Sequence, residues 1–178
     1  MDEIIDVFDE FDEPTGKTVR KDLAHRTGSI HRVAHLWLYK PGFVLLQKRS
    51  LQKKAFSGCW DVAVAGHVGA GEGCADAVVR EAREELGLDI KRGALSMIGV
   101  FRTSFEPPGL RNNEFMHVYC AGSDADAAKL KLQAEEVDEV RWFSFDAARK
   151  MAELGREVIP HGRHYFKYCV EWLANLKE

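Results

Sequence analysis

The stretch from Gly66 to Leu88 constrains the fold most strongly, because a glycine-rich segment there passes directly into a helical pattern. Glycine permits positive φ angles and lets a ligand approach the backbone closely. A strand-like run at 62–65 precedes the glycines, so the sequence predicts a strand, a tight loop and a helix in succession. Such a loop can bring its carbonyl groups and Glu72 toward a metal ion, and its amides toward a phosphate group.

The predicted helix has an apolar face beside an acidic one. At about 100° per residue, spacings of three and four place Glu81, Glu84 and Glu85 within one arc. Like charges at these spacings destabilise an isolated helix by about 0.2–0.5 kcal/mol per pair. An opposing charge is therefore expected beside them, and a divalent cation with oxygen ligands supplies it. The neighbouring arc holds the residues predicted to face the core, which are Ala75, Val78, Val79, Ala82 and Leu86.

An enzyme signature fits this stretch at every fixed position. It consists of Gly, five residues, Glu, seven residues, and then Arg-Glu-apolar-x-Glu-Glu-x-Gly-apolar. The matching positions here are Gly66, Glu72, Arg80, Glu81, Ala82, Glu84, Glu85, Gly87 and Leu88. The chain therefore resembles the Nudix hydrolases. The alternative is a charged, solvated helix after a flexible turn.

The resemblance implies an α/β (α+β) fold, in which an α/β/α sandwich surrounds a mixed central sheet. The length of 178 residues suits one domain with a substantial core. We therefore predict a single Nudix domain over 1–178, with the signature at 66–88 and a strand-and-loop extension at 1–30. A hydrophobic content of 46% and a charged content of 30% are those of an ordinary globular protein.

Charge and cysteine usage argue against several classes of function. A net charge of −3 lacks the basic excess of a protein that grips long nucleic acid. The four cysteines are scattered without a C-x-x-C pair, which argues against a zinc site or a disulfide framework. No cleavable signal or long apolar run is present, so we expect a cytoplasmic protein without a membrane partner.

The remaining pattern predicts alternating strands and helices. An edge strand is expected around Ile5–Phe8, followed by a turn at 12–16 and a second strand within 17–23; a disordered acidic tail is the alternative. Residues 106–113 are a loop by composition. Further strands are predicted at 31–39, 43–47, 61–65, 95–105, 114–120 and 140–145, and helices at 147–154 and 164–176.

A basic cluster lies between two of the predicted strands, at 48–54. One interpretation is loop charge that is simply solvated. The other is a clamp for the diphosphate of a substrate, because Arg binds phosphate oxygens bidentately and Lys adds a point charge. Under the second interpretation Arg49 and Lys53 bind the substrate.

Outside the signature, the chain resembles one branch of the superfamily, the isopentenyl-diphosphate isomerases and their hydrolase relatives. The resemblance covers roughly 5–145. It rests on Pro14-Thr15-Gly16, Ala24-His25 with His31, Lys48-Arg49-Ser50 with Lys53-Lys54, Gly58-Cys59-Trp60, Gly66-His67, Asn113-Glu114 and Glu135-Glu136-Val137.

The same resemblance implies a second metal site and also a departure from the isomerases. In them, residues matching His25, His31, His67 and Glu114 surround a divalent metal. A second glutamate of that site corresponds to Asn112, so the site here lacks one charge. The isomerase's catalytic cysteine corresponds to Ala65, which offers no proton to donate or accept. The histidines are therefore either a second metal site or inherited scaffold.

The predicted activity is metal-assisted hydrolysis of a diphosphate linkage. Mg²⁺ or Mn²⁺ suits oxygen ligands, and Arg80 is expected to orient a glutamate by charge-assisted hydrogen bonds. Glu84 is favoured as the base that takes the proton of the attacking water, with Glu136 as the alternative. The expected oxygen ligands are Glu81, Glu84, Glu85 and the Gly66 carbonyl, joined by Glu72 or Glu114.

Other functions remain open at the level of sequence. An isomerase or a non-catalytic ligand sensor would use the same pocket, and both nucleoside and isoprenoid diphosphates are candidate substrates. A homodimer is compatible with the sequence but not indicated by it. Five aromatic residues either contact the substrate or belong to the core: Trp37, Phe56, Trp60, Phe105 and Phe115. Four histidines are predicted to be satisfied core or surface groups: His35, His117, His161 and His164.

Overall fold

A computed structural model describes residues 3–106, 111–155, 157–161 and 164–176. Within these ranges a seven-stranded mixed sheet and a separate two-stranded hairpin account for the strands. The strands are β1 (Ile4–Phe8), β2 (Pro14–Arg20), β3 (His31–Lys40), β4 (Phe43–Arg49), β5 (Trp60–Val62), β6 (Val64–His67), β7 (Ser96–Phe105), β8 (Asn112–Gly122) and β9 (Val137–Ser144).

Helices cover both faces of the large sheet. On one face α2 buries Ala77, Val78 and Ala82 against alternate residues of the central strands, including Leu36 and Leu38. On the other face α4 packs around Trp37. The arrangement confirms the predicted α/β/α sandwich with a mixed sheet. The helices are α1 (Lys21–Thr27), α2 (Cys74–Leu86), α3 (Phe145–Leu154) and α4 (Tyr165–Ala174), and the 3₁₀ turns are Arg92–Ala94 and Ala127–Lys129.

The sheet divides at its centre, and this division creates the site. β3 pairs with β4 only near their connecting turn, from Leu38 to Lys40. The first half of β3 instead pairs with β6, from Val33 to Leu36. β4 continues along β5 and β9. The two branches therefore diverge, and the side chains between them face an open space instead of a packed core.

The N-terminal hairpin braces the glycine-rich loop from outside the sheet. The amide of Ala70 donates to the carbonyl of Ile4 at 3.0 Å, and the amide of Gly71 donates to Asp6 Oδ2 at 2.8 Å. Ile5 and Gly69 form an isolated bridge. The extension at 1–30 thus holds the loop that precedes α2, and its first strand is ordered instead of forming an acidic tail.

Two local predictions about the N-terminal region are wrong. The turn lies at 9–13, where Asp9 Oδ1 accepts from the amides of Phe11 and Glu13, so 14–16 already belong to β2. Of the strand predicted within 17–23, residues 17–20 belong to β2, whereas 21–23 begin the helix α1, which continues to Thr27. It ends at Gly28, whose left-handed conformation caps the last turn.

The prediction of which residues of α2 face the core is also partly wrong. Ala75 and Val79 are only half-buried, whereas Ala77 is buried. Glu85, which the wheel assigns to the acidic arc, is buried with the apolar residues. The strand predicted at 61–65 is two strands, β5 along β4 and β6 along β3. The remaining strands and the two C-terminal helices match their predictions to within a few residues. Of the predicted loop at 106–113, residues 107–110 lie outside the described ranges.

Within the described ranges, no helix has the length and apolar character needed to cross a lipid bilayer.

Candidate active site

A cavity of about 1210 Å³ opens where the two branches of the sheet diverge. α2 with the glycine-rich loop lines one part of it, and β5 with the segment 157–161 lines another. The N-terminal helix α1 and the start of β8 complete its rim. The cavity brings together all but one of the predicted site residues, which are Gly66, Glu72, Arg80, Glu81, Glu84, Glu85, Glu114, Glu136, Arg49, Lys53, His25 and His67. The remaining one, His31, lies directly behind His25 and His67.

Two carboxylates on the α2 wall are removed from water. Glu85 is 4% exposed, and burial, followed by repulsion from Glu81, raises its pKa well above the usual value. Burial also raises the pKa of Glu81. Gln47 Nε2 donates to Glu85 Oε2 at 3.3 Å. Two neighbouring buried carboxylates with few donors are a costly arrangement, which a divalent cation would relieve.

Gly66 is fitted to this acidic wall by the absence of a side chain. A Cβ at this position would overlap the carboxylate of Glu81. The Glu81 side chain therefore lies against the backbone of β6, next to the Gly66 peptide. Carboxylate and carbonyl oxygens are the ligands that Mg²⁺ and Mn²⁺ prefer. The residues present thus fit the metal that the signature implies.

Arg80 fixes the acidic residues around it. Its guanidinium donates to both oxygens of Glu72, at 2.8 and 2.9 Å, and to Glu81 Oε1 at 2.8 Å. The same group reaches Glu84 Oε2 at 3.1 Å and the carbonyl of His67 at 3.1 Å. The bond from Arg80 lowers the pKa of Glu72. Arg80 therefore orients glutamates, as predicted from the sequence.

The two candidate bases have different surroundings. Glu84 has a side chain that is 53% exposed and contacts Arg80 at the cavity mouth. Glu136 lines the cavity from the loop before β9 and forms an ion pair with Lys53. Glu72 accepts from Arg80 and also from the amide of Gly69 at 2.9 Å. Its oxygens thus serve the loop and Arg80 in this structure, and its role as a metal ligand stays a prediction.

Three histidines and a glutamate form a second cluster at the α1 side of the cavity. One ligand atom from each of His25, His31, His67 and Glu114 lies within 4.8 Å of the others. His25 Nε2 and His67 Nε2 are 3.0 Å apart, and His31 Nε2 is 3.5 Å from Glu114 Oε1. His31 and Glu114 are paired on the adjacent parallel strands β3 and β8. The sheet therefore determines the relative positions of these two members of the cluster.

The protonation of this cluster suits a metal. Burial lowers the pKa of His25 and, more strongly, that of His67, which favours the neutral imidazole that binds cations. The ring nitrogen Nδ1 of His31 lies 2.9 Å from the carbonyl of Ser29, which accepts from it, so Nε2 is the ring nitrogen on the side of the cluster. His31 Nε2 is buried without a hydrogen-bond partner. Asn112 Oδ1 is likewise buried and unpartnered, on the same face of β8 as Glu114.

Comparison with known proteins assigns the family. Residues 29–162 match the NUDIX domain. The chain is 39% identical over 151 residues to an uncharacterized Nudix hydrolase of Pseudomonas aeruginosa, covering 84% of this chain and 83% of the relative. It is 32% identical over 151 residues to an isopentenyl-diphosphate Delta-isomerase of Salmonella heidelberg, covering 84% and 81%. The crystal structure of DR0079 from Deinococcus radiodurans aligns with a TM-score of 0.71 and 30% identity, covering 94% and 99%.

The chain belongs to the Nudix hydrolase family. Its signature at 66–88 forms the loop and helix wall of the cavity, and the match over 29–162 contains the whole seven-stranded sheet. The signature thus supplies one part of the cavity lining, and residues outside the signature supply the rest.

The basic cluster of this Nudix hydrolase is only partly directed at the cavity. Arg49, Lys53 and Lys54 line it, whereas Lys48 lies over the ring of Trp60, 5.9 Å from its centroid. Arg49 Nε is buried without a partner. Of the five aromatic residues singled out from the sequence, Phe56 and Phe105 line the cavity. Trp37, Trp60 and Phe115 are core residues.

Sequence reasoning misses three residues of the cavity, His35, Asp61 and His161, which together are called the inner wall below. They line the cavity of the hydrolase and are each at least nine-tenths buried. The sequence predicts only that both histidines are satisfied groups. One signal is available, because Asp61 interrupts an otherwise apolar strand, Trp60 to Ala65. His117, which is also predicted to be satisfied, is not part of the cavity lining, and its Nε2 lies 2.9 Å from Asp12 Oδ2.

Proposed function

We propose that this Nudix hydrolase cleaves a diphosphate linkage in a small nucleoside- or isoprenoid-diphosphate derivative, with Mg²⁺ or Mn²⁺ as cofactor. One observation carries the proposal: the carboxylate of Glu81, packed against Gly66, and the buried carboxylate of Glu85 line the same cavity as a basic rim. A cluster of anions alone would repel a diphosphate. Cations between the two would bind both.

In this proposal, different residues of the cavity bind the metal and the phosphate groups. Glu81 and Glu85, with the Gly66 carbonyl, would hold the metal, and Arg80 keeps Glu81 in place. A bound divalent metal neutralises phosphate charge and lowers the pKa of a water ligand. Arg49 and Lys54, on the opposite rim, would bind phosphate oxygens by charge-assisted hydrogen bonds. The substrate is thereby held with its diphosphate across the cavity.

Glu84 is the base that we favour for the attacking water. It is at the cavity mouth, where bulk water is available, and Arg80 restrains its carboxylate. Glu136, which forms an ion pair with Lys53 on the other side of the cavity mouth, is the alternative base. In the proposed step the water oxygen forms a bond to phosphorus, its proton passes to Glu84, and the bridging P–O bond breaks. The leaving phosphate departs with the electron pair of that bond.

An isomerase is the second candidate, because the His25, His31, His67 and Glu114 cluster is shared with that branch by resemblance. The structure supports the departure at Ala65, which lines the cavity beside Gly66 and presents only a methyl group. A proton donor or acceptor is needed on each side of an allylic double bond to move it. Loss of one partner makes hydrolysis the better supported reaction.

The decisive experiment measures both reactions in one assay. The purified protein is incubated with Mg²⁺ or Mn²⁺ and a panel of nucleoside and prenyl diphosphates, and released phosphate and isomerised product are quantified. We expect phosphate release and no isomerisation. Glu85→Gln is expected to lower kcat at least 100-fold, whereas the exposed Glu153→Gln serves as the matched control. Isomerised product, or full activity in both Glu84→Gln and Glu85→Gln, would refute the proposal.

A further inference from the structure

The inner wall of the cavity carries a polar group of its own, apart from the glutamates of α2 and the histidine cluster. His161 Nε2 and Asp61 Oδ1 are 2.5 Å apart. The ring of His35 lies edge-on to that of His161, with centroids 4.7 Å apart. These three residues come from β3, β5 and the segment before α4, which are distant in sequence. The fold assembles them where the two branches of the sheet diverge.

Asp61 fixes the orientation of the His161 ring. Burial alone raises the pKa of the Asp61 carboxyl, but the charge and hydrogen bond of His161 outweigh burial and hold that pKa well below its usual range. The carboxylate is therefore ionised and accepts a proton-bearing Nε2 of His161. Among the described residues, His161 Nδ1 has no hydrogen-bond partner. One ring nitrogen is thus committed to Asp61 and the other is available to a ligand.

His35 is oriented by a second set of contacts. Trp37 Nε1 donates to the hydroxyl of Tyr165 at 3.1 Å, and that hydroxyl lies 2.8 Å from His35 Nδ1. The Tyr165 hydroxyl thus holds the His35 ring through Nδ1. Burial, followed by the charge of His161, lowers the pKa of His35 to about 3. His35 is a neutral side chain, and within the described residues its Nε2 has no hydrogen-bond partner.

The inner wall adjoins the metal-binding wall. Asp61 pairs in the ladder with Gln47, and Gln47 Nε2 donates to Glu85 at 3.3 Å. A substrate whose diphosphate lies against Glu85 would therefore direct its remaining part toward Asp61, His161 and His35. Ile159 and Phe105 add apolar surface to the same cavity.

We infer that His161 and His35 are specificity-determining residues that recognise a hydrogen-bonding moiety of the substrate, a nucleoside or sugar, and reject a prenyl tail. The inference rests on the proposed function, since it assigns the moiety attached to the diphosphate. A hydrocarbon placed here would leave His161 Nδ1 and His35 Nε2 without water or a partner. Leaving buried polar groups unpaired costs about 1–3 kcal/mol each. A hydroxyl or base edge would satisfy them.

The magnitude of such discrimination is large. A site that is built to hydrogen-bond a substrate rejects an analogue without those groups by about 10⁴-fold or more, whereas an apolar pocket discriminates by about 10–200-fold. Wild-type enzyme is therefore expected to show a kcat/KM for nucleoside or sugar diphosphates that exceeds its value for geranyl diphosphate at least 100-fold. The reverse preference would overturn the inference and leave hydrolysis intact.

A double variant tests the residues themselves. Asp61→Asn with His161→Phe removes the charge and the imidazole together, so that no unpaired ion remains buried. We expect its KM for nucleoside diphosphates to rise at least 10-fold and its KM for geranyl diphosphate to fall. A merely structural role would change both substrates by the same factor, and that result would overturn the inference.

Two further proteins keep the test decisive if the double variant is unstable. His161→Gln retains a donor to Asp61 and a polar atom toward the cavity, so we expect it to keep the wild-type preference. The matched control is Asp12→Asn with His117→Phe, which alters a comparable carboxylate–imidazole pair outside the cavity. It is expected to lower the melting temperature without changing the substrate ratio. Loss of the preference in the control, or in His161→Gln, would contradict the assignment. Absence of any hydrolysis by wild type would instead refute the proposed function.

Discussion

The carboxylate of Glu81 occupies the space that a side chain at Gly66 would need. Glycine is therefore required at this position of β6 because the Glu81 carboxylate lies against it. The backbone conformation does not require glycine, since Gly66 is not among the glycines with positive φ. The signature glycine and the first glutamate of the signature helix are two halves of one packing arrangement. This contact places the Glu81 carboxylate beside the backbone carbonyls of β6.

Gly66→Ala is expected to displace Glu81 and to weaken metal binding. The methyl group has no room unless the Glu81 carboxylate moves, and Arg80 restrains that carboxylate. We expect kcat at saturating Mg²⁺ to fall at least 10-fold, with a higher Mg²⁺ concentration needed for half-maximal activity. Gly93→Ala is the control, because a Cβ there has no neighbour within 4 Å. Unchanged Mg²⁺ dependence in Gly66→Ala would show that Glu81 is not a ligand.

Glu85→Gln is expected to stabilise the metal-free protein at alkaline pH. A carboxyl whose pKa is raised on folding stabilises the fold at pH values below its unfolded pKa and loses that contribution as pH rises through the raised value. A folded-state pKa that lies one pH unit above the unfolded-state pKa corresponds to about 1.4 kcal/mol of unfolding free energy. In the presence of EDTA, the unfolding free energy of wild type should therefore fall between about pH 5 and pH 8 relative to that of Glu85→Gln.

Metal should reverse this difference. A cation bound to ionised Glu85 stabilises the folded state by mass action, so Mg²⁺ or Mn²⁺ should raise the melting temperature of wild type more than that of Glu85→Gln. Thermal melts from about pH 5.5 to about pH 8.5, with and without metal, measure both effects. Glu153→Gln, on the exposed surface of α3, should follow wild type throughout. A Glu85→Gln protein that is less stable than wild type in EDTA at the alkaline end of this range would contradict the burial argument.

How far the sequence specifies this site depends on the range of the contacts. The wheel of α2 is sufficient to group Glu81, Glu84 and Glu85, because their spacing is local. The wheel does not show that Glu85 is buried, since no local pattern reveals that Gln47 of β4 contacts that side chain. The pair of Asp61 and His161 spans a hundred residues and forms only because the sheet divides, which periodicity does not encode.

The helix α1 shows the same limit at small scale. Its seven residues bury only Ala24, so no apolar period identifies it. The helix nevertheless carries His25 into contact with His67. The resemblance to the isomerase branch, and no physical pattern in 21–27, is what associates these histidines. Short elements that are fixed by tertiary contacts, and not by their own periodicity, are where sequence reasoning fails.

Asn112→Glu is expected to tighten metal binding at the histidine cluster. Asn112 Oδ1 is buried without a partner and lies two residues from Glu114 on one face of β8, so a carboxylate there would supply the charge that the cluster lacks. Mn²⁺ or Co²⁺ affinity should rise about 10-fold or more, because charged oxygen ligands bind cations more strongly than amides do. Asn113→Asp adds charge on the opposite face and should have little effect.

A competition titration with a metal indicator measures these affinities, and His31→Ala identifies the site. The Nε2 of His31 is buried without a hydrogen-bond partner, so removal of this ring should abolish the affinity gained in Asn112→Glu. Equal affinities in wild type and Asn112→Glu would show that Asn112 does not face the metal.

Arg49→Ala is expected to raise KM more than it lowers kcat. Arg49 lies at the end of β4 with Nε buried and unpartnered, and its Nη1 is 3.9 Å from Asp61 Oδ2, so most of its donors are available to a substrate. Loss of hydrogen bonds to a charged group costs about 1.5–3 kcal/mol, which corresponds to a rise in KM of about 10–150-fold.

Arg49→Lys should recover only part of this loss, because an ammonium group cannot bind two phosphate oxygens in the bidentate geometry of a guanidinium. Lys48→Ala is the matched control, since Lys48 is directed at the ring of Trp60 and is not part of the cavity wall. Steady-state kinetics with one diphosphate substrate at saturating Mg²⁺ separate KM from kcat. An unchanged KM in Arg49→Ala would show that Arg49 serves Asp61 and the inner wall instead of the phosphates.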